Sequence, residues 1–204
     1  VGGPGPVDLD SWRRGEPDAD KFYNENLGKL SGIAGGLAKE RGFVFANMHP
    51  LMMEVMAKAK AANGDAYHVC GGDGVHPGAN GHLVMAYTFL KALGVDGNIG
   101  TISVDMNAGA TATDGHKIIS AKAGQVEVES SRYPFCFFGG EKDPNGTRSI
   151  LPFLPFNEDL NRYLLVVKNL TAENADVTWG NATKTFSKAQ LENGVNLPAE
   201  FIDN

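Results

Sequence analysis

Two cysteines, Cys70 and Cys136, are all the thiol chemistry in the 204 residues, too few and too far apart for a disulfide scaffold or a cysteine-based zinc site. Both read as buried thiols, and they leave the compartment open. No apolar run approaches the roughly 20 residues needed to cross a bilayer, and the first residues lack the basic-then-apolar order of a signal peptide. Clustered positive charge is scarce as well: the net charge is −6 and the longest basic cluster is Arg13-Arg14, which excludes the basic footprint of a nucleic-acid-binding protein. Internal repeats and low-complexity tracts are absent. Asn145-Gly-Thr, Asn169-Leu-Thr and Asn181-Ala-Thr are formal glycosylation triplets that mean little without a secretory context.

What is present is 42% hydrophobic residues against 21% charged, enough to bury a core in one domain or two small ones. Val1-Gly-Gly-Pro-Gly-Pro-Val-Asp8 reads as a strand end running into a turn. Phe22, Tyr23, Leu27, Leu30, Ile33, Ala34, Leu37 and Ala38 recur at helical spacing and predict a helix of about five turns with these residues buried, capped by Asp18 or Asp20 and stopped by Gly42. Phe43-Val-Phe-Ala-Asn47 predicts a buried strand, with Met48 and His49 at its end. Pro50 opens a helix over 51–62 that Asn63-Gly64 ends. Helix, strand and helix in this order predict a parallel sheet with covering helices. The helix beginning at Asn80 is apolar nearly all round, which predicts burial.

After Gly94 the helical period gives way to short alternating segments, so a boundary falls near 94–100. Strands are predicted at Thr101-Ile-Ser-Val-Asp105, Lys117-Ile-Ile-Ser-Ala121, Gln125-Val-Glu-Val-Glu129 and Tyr133-Pro-Phe-Cys-Phe-Phe138, with a hairpin turn at Lys122-Ala-Gly-Gln125. Arg162-Tyr-Leu-Leu-Val-Val-Lys168, Asp176-Val-Thr-Trp179 and Thr183-Lys-Thr-Phe186 then form a meander, and Ser187 caps a short helix that Gly194 stops.

The chemistry concentrates in Gly71-Gly-Asp-Gly-Val-His-Pro-Gly-Ala-Asn80. A histidine that takes a proton from a nucleophile and returns it to a leaving group works near neutral pH, with its ring fixed by a carboxylate on the other nitrogen. Asp73 and His76, three residues apart in a glycine-rich turn stiffened by Pro77, put both side chains on one side.

Asp73-Gly-Val-His76-Pro-Gly-Ala-Asn80-Gly-His82 followed by a helix resembles the last conserved block of the SGNH, or GDSL-like, esterase and lipase family. The Tyr23-Asn-Glu helix, the Phe43-Val-Phe-Ala-Asn47 segment and the helix over 51–62 resemble that family's closing segments, so the likeness covers residues 1–94. It implies a partial flavodoxin-like three-layer α/β/α sandwich over 1–96, entered mid-fold, and a β-rich accessory region over 97–204. It also implies hydrolysis of a small-molecule carboxylic ester without a cofactor, with Asp73 as orienting carboxylate and His76 as general base. The family's Gly-Asp-Ser nucleophile block does not occur in these residues.

Other readings of the same residues stand beside this one. Ser11, Ser31 or Cys70 could serve as nucleophile, although none sits in a nucleophile elbow. His68, Asp73, His76 and His82 supply imidazole and carboxylate within one stretch, so a divalent metal could use three of them to activate water. A catalytically incomplete fragment could instead bind a ligand or form a homo-oligomer through an exposed sheet edge.

Overall fold

Apolar residues at helical spacing after Asp20 form α1 (Ala19–Glu40) in the computed structural model, which describes residues 1–12, 19–122 and 124–203, with backbone alone for 19–21. Asp18, the side chain of Asp20 and the Arg13-Arg14 pair lie outside the described residues. The chain divides into two units: unit 1 comprises Val1–Asp96 and Phe138–Phe156, and unit 2 comprises Gly97–Phe137 and Asn157–Asn204. The accessory region expected over 97–204 is thus interrupted by a segment of unit 1.

Unit 1 holds α1, α2 (Met48–Asn63) and α3 (Ala79–Ala92). Gly42 ends α1 and Gly64 ends α2, with the Gly64 N–H donated to the Lys60 carbonyl. Met52, Val55, Met56 and Ala59 of α2 are buried, as are Val84 and Tyr87 of α3. The returning segment supplies Ile150 from a 3-10 helix (Arg148–Phe153), then Leu154 and Phe156, all buried, with Phe156 against Tyr87 at 6.1 Å between ring centroids. Buried α3 residues lie on one face only, and Phe89 and Leu93 are exposed, so the expectation of a helix covered all round is corrected.

The buried face of α1 differs from the predicted one. Phe22, Leu30, Ile33 and Leu37 are each more than half exposed, while Asn24, Ser31 and Ala38, seven residues apart, are buried. The reason lies in polar pairing: Asn24 and Ser31 bond to chain segments that pack on this face. Asn24 Oδ1 accepts the Val7 N–H at 2.8 Å and its amide donates to the Val7 carbonyl at 2.9 Å, while the Ser31 hydroxyl donates to Asn47 Oδ1 at 2.8 Å.

Among the described residues, parallel pairing in unit 1 amounts to one bridge, Gly2 with Ala46. The segment at Phe43 is therefore no buried strand: Phe43 and Val44 are exposed, and Met48 and His49 belong to α2. A segment with a single short neighbour cannot shelter both of its faces.

Unit 2 is built on a four-stranded sheet in the order β2-β1-β5-β8, from β1 (Asn98–Asp105), β2 (Gly109–Ala112), β5 (Arg162–Lys168) and β8 (Val195–Asn196). β1 and β5 are parallel, Thr101 facing Leu164 and Val104 facing Val167. Two antiparallel hairpins accompany it, β3 (His116–Lys122) with β4 (Gln125–Ser130), and β6 (Asn174–Trp179) with β7 (Ala182–Ser187). Hence β5 pairs within the first sheet while β6 and β7 form their own, which corrects the expected meander.

After α4 (Phe156–Leu160), the capping box at Ser187 opens α5 (Lys188–Asn193) as predicted, its side chain accepting from the Gln190 N–H, and α6 (Leu197–Glu200) closes the chain. Tyr133-Pro-Phe-Cys-Phe-Phe138 forms no strand. Its backbone is held by a side chain instead: buried Asn161 accepts the Phe135 N–H at 2.8 Å and donates to the Phe135 carbonyl at 3.1 Å.

Ile150→Ala deletes a fully buried side chain of unit 1 and is expected to cost about 2–4 kcal/mol, whereas Leu30→Ser on the exposed stripe should stay within about 0.5 kcal/mol. Urea unfolding followed by Trp12 fluorescence checks both.

Candidate active site

Between α2 and α3 the chain is irregular, and its direction is set by what it packs against. Val69, Cys70 and Gly71 are buried, then Gly72, Asp73, Val75 and His76 emerge into solvent. Gly71 and Gly74 have φ of 82° and 80°, which favour glycine. A Cβ on Gly71 would lie 1.9 Å from the His76 carbonyl oxygen, and one on Gly74 would lie 2.5 Å from the Asp8 carbonyl oxygen. The turn is thus folded tightly on itself and against the Asp8 segment.

Asp73 closes this turn with both oxygens. Oδ1 accepts the backbone N–H groups of Val75 and His76, each at 3.0 Å, and Oδ2 lies 2.6 Å from His76 Nδ1. The first oxygen shapes the backbone, as aspartate does in turns, and the second fixes the imidazole. With Nδ1 donating to the carboxylate, Nε2 is the acceptor, a tautomer that follows from the hydrogen-bond network. The His76 side chain is 85% exposed and Asp73 57%. The bond from the His76 ring, with the backbone N–H groups of His76 and Val75, holds the Asp73 carboxyl well below the usual carboxylate range.

Two buried polar groups anchor the ends of the loop. Asn80, at the start of α3, donates to the His68 carbonyl at 2.8 Å and accepts the Gly81 N–H at 2.7 Å. Nearby, the Tyr67 hydroxyl meets Ser149 Oγ at 2.7 Å. Asp8 donates its N–H to the Gly74 carbonyl at 2.9 Å, and its carboxylate, 2% exposed, takes the Lys60 ammonium at 2.6 Å. Burial pulls the Lys60 ammonium down, but the carboxylates of Asp10 and Asp8 outweigh it, so its pKa is raised.

Asp73 and His76 are brought together by the structure; the other candidates are not. Among the described residues no three of His, Cys, Asp and Glu converge as metal ligands, which corrects the metal reading of His68, Asp73, His76 and His82. Asp73 is committed to His76, and the His82 ring is turned back to the Gly78 carbonyl at 2.9 Å.

Cys70 is fully buried, its thiol 3.4 Å from the Pro6 carbonyl, and burial followed by the Asp8 charge pushes its pKa up to about 12, so it remains a thiol at neutral pH. Ser31 is buried and bonded to Asn47, and Ser11 lies in the turn after Asp8. No serine or cysteine among the described residues is hydrogen-bonded to His76 Nε2. Both thiols are free, and Cys136 is exposed rather than buried as expected.

Asp8, Lys60, Asn24 and Asn80 support the loop without having been singled out in the sequence. Asn80 alone carried a signal, standing at the helix start within the motif; the others act through partners 17 or more residues distant, such as Asn24 on Val7 and Lys60 on Asp8.

The fold, with helices beside parallel and antiparallel strands, is of the α/β class. A solved structure described as BT4096, a gut microbial diltiazem-metabolizing enzyme, is similar to 97% of this chain with a TM-score of 0.73 and 24% identity. The match covers 46% of that chain, so the present chain spans about half its length. No protein-family model and no curated protein matches the chain. No helix of the described residues is long and apolar enough to cross a membrane.

Because the folded-state pKa of Asp73 is depressed, the order this carboxylate lends the loop is complete above the ordinary aspartate value and is lost only as pH falls through the lowered one. Its carboxyl carbon should keep its ionised NMR shift at about pH 3, where a free aspartate of pKa ~3.9 is largely protonated. In Gly71→Ala the 1.9 Å clash should break the Asp73–His76 bond, visible as loss of the downfield Nδ1 proton.

Proposed function

We propose that the turn at Asp73 and His76 is the base half of an SGNH-type ester hydrolase site. The observation that carries this reading is the 2.6 Å bond from His76 Nδ1 to Asp73 Oδ2, which leaves Nε2 as an exposed acceptor. In such a site Nε2 takes the proton of a hydroxyl as that oxygen attacks the ester carbonyl, and Asp73 stabilises the imidazolium that forms. The proton then passes to the departing alcohol, and water repeats the cycle to release the acid.

The resemblance of the turn to the SGNH family supports the ester as substrate, and the name of the structural neighbour, a diltiazem-metabolizing enzyme, supports chemistry on a small molecule. The reading requires a nucleophile that the described residues do not place at Nε2. Exposure of His76 leaves room for a hydroxyl to reach it.

A second reading, self-association of unit 1, is favoured by the uncovered stripe of Phe22, Leu30, Ile33 and Leu37. Light scattering across a dilution series separates the two: association predicts a mass that falls on dilution.

Hydrolysis of 4-nitrophenyl acetate by this chain should drop by about 10²–10⁴ in His76→Ala, the range for losing a positioned base. Asp73→Asn should lower kcat while leaving KM little changed. Equal rates in the parent and His76→Ala would overturn the assignment of His76 as base.

A further inference from the structure

Unit 2 holds a serine and histidine pair in which the Asp73 turn takes no part. His116 opens β3 and stands opposite Ser130, the last residue of β4, so the two share the inward face of the hairpin with Ile118, Val126 and Val128. His116 Nδ1 lies 2.9 Å from Ser130 Oγ, and Nε2 lies 2.9 Å from the Ile99 carbonyl oxygen. A carbonyl can only accept, so Nε2 carries the proton. In the neutral ring Nδ1 is then the acceptor, and the Ser130 hydroxyl donates to it. That is the polarity of a serine beside its base, with a third group orienting the ring.

Packing fixes the imidazole as well. Tyr163 of β5 stacks on it with 4.8 Å between ring centroids, and the Tyr163 hydroxyl stands 3.5 Å from Nδ1, the longer of that nitrogen's two contacts. Gly100 of β1 leaves the space that the ring fills, since a Cβ there would lie 2.2 Å from Nε2.

A bond of this kind can serve only to tie two strands together; the surroundings of Ser130 give it a further use. Ser130 and Tyr163 line a groove of about 800 Å³, and Ser130 and His116 are both only half-buried. From the end at Tyr163 the apolar lining follows the parallel pair, past Leu165 to Val167 on β5 and from Ile102 past Val104 to Met106 beside it. Four positions of extended chain cover about 13 Å. Charges of both signs border the groove. Glu129 stands opposite Lys117 on β3, Asp176 Oδ1 accepts the Thr185 hydroxyl at 2.6 Å, and Arg132, two residues beyond Ser130, makes no hydrogen bond or ion pair among the described residues. Such a rim suits a neutral molecule with an apolar chain better than an anion or a cation.

We propose that Ser130 and His116 form a second ester-hydrolysing site, which takes neutral esters whose apolar acyl chain lies along this groove. Ser130 Oγ attacks the ester carbonyl while its proton passes to His116 Nδ1. The intermediate collapses as that proton moves to the departing oxygen, giving the free alcohol and acyl-Ser130. Water then attacks the acyl carbon, its proton going to Nδ1; the acid leaves, and the proton returns to Ser130 Oγ. The Ile99 carbonyl holds the ring through both steps, and Arg132 supplies positive charge on the side where the oxyanion forms. The site lies within unit 2, so it does not rest on the assignment of His76.

The test treats the full chain with decyl and ethyl fluorophosphonates and locates the adduct by peptide mass spectrometry. Phosphonylation of Ser130 is expected, at least about 10-fold faster with the decyl probe, whose chain the groove would bury. Chain denatured in urea should not react. His116→Gln removes the base and should slow labelling of Ser130 by about 10²–10⁴, and Gly100→Ala should slow it by displacing the ring. Ser130→Ala should abolish the label and lower hydrolysis of 4-nitrophenyl decanoate. A Ser130 left unmodified by both probes, equal rates for the two probes, or equal rates in folded and denatured chain overturns the proposal, and these three readings need no variant to fold. So does undiminished labelling in a folded His116→Gln chain. An adduct on another serine with Ser130 bare overturns it too, and leaves the assignment of His76 standing.

Discussion

Asp8 is the residue on which the geometry of the candidate site depends. The Asp73 turn is solvent-exposed and has little apolar surface of its own to fix it, so its position comes from what lies beneath. The Asp8 N–H reaches the Gly74 carbonyl while its buried carboxylate is tied to Lys60 of α2, and Asn24 of α1 grips the adjacent Val7 by both backbone groups. One short segment thus carries the orientation of two helices into the loop. Such a buried ion pair is weak evidence of added stability, since desolvation opposes the Coulomb gain, but leaving either charge alone is costly. Its function here is to locate rather than to strengthen.

The turn itself shows one carboxylate serving backbone and side chain at once. Had both Asp73 oxygens been used on the backbone, the imidazole would rotate freely; had both faced the ring, the turn would lose its closure. The division of labour between Oδ1 and Oδ2 sets the distance from turn to ring with no further residues. It also explains why the pair can be so exposed: its three bonds are local and need no surrounding shell.

That local character made the pair legible from sequence. An aspartate and a histidine three apart in a glycine-rich turn constrain one another within a few bonds, as do Gly42, Gly64, Gly194 and the Ser187 capping box, each of which ends or begins its helix where expected. Long-range features were not legible. Helical spacing in α1 marked an apolar stripe, but burial followed the polar partners of Asn24 and Ser31, which periodicity does not report. The parallel pairing of β1 with β5 joins strands more than fifty residues apart, and nothing near Arg148 announces that Ile150 returns to the core of unit 1. For the same reason no local pattern links Asp8 and Lys60, fifty-two positions apart.

The clamps at Val7 and Phe135 have a consequence for how the chain finds its register. In a sheet, pairing is a ladder, and a slip by two residues preserves most rungs and the side-chain faces. An asparagine amide that grips both backbone groups of one residue offers a single rung, so a slipped segment keeps nothing. Asn24 and Asn161 therefore act as alignment pins: each defines the position of an extended segment at a point, and each concentrates in one side chain a task that a strand would spread over many.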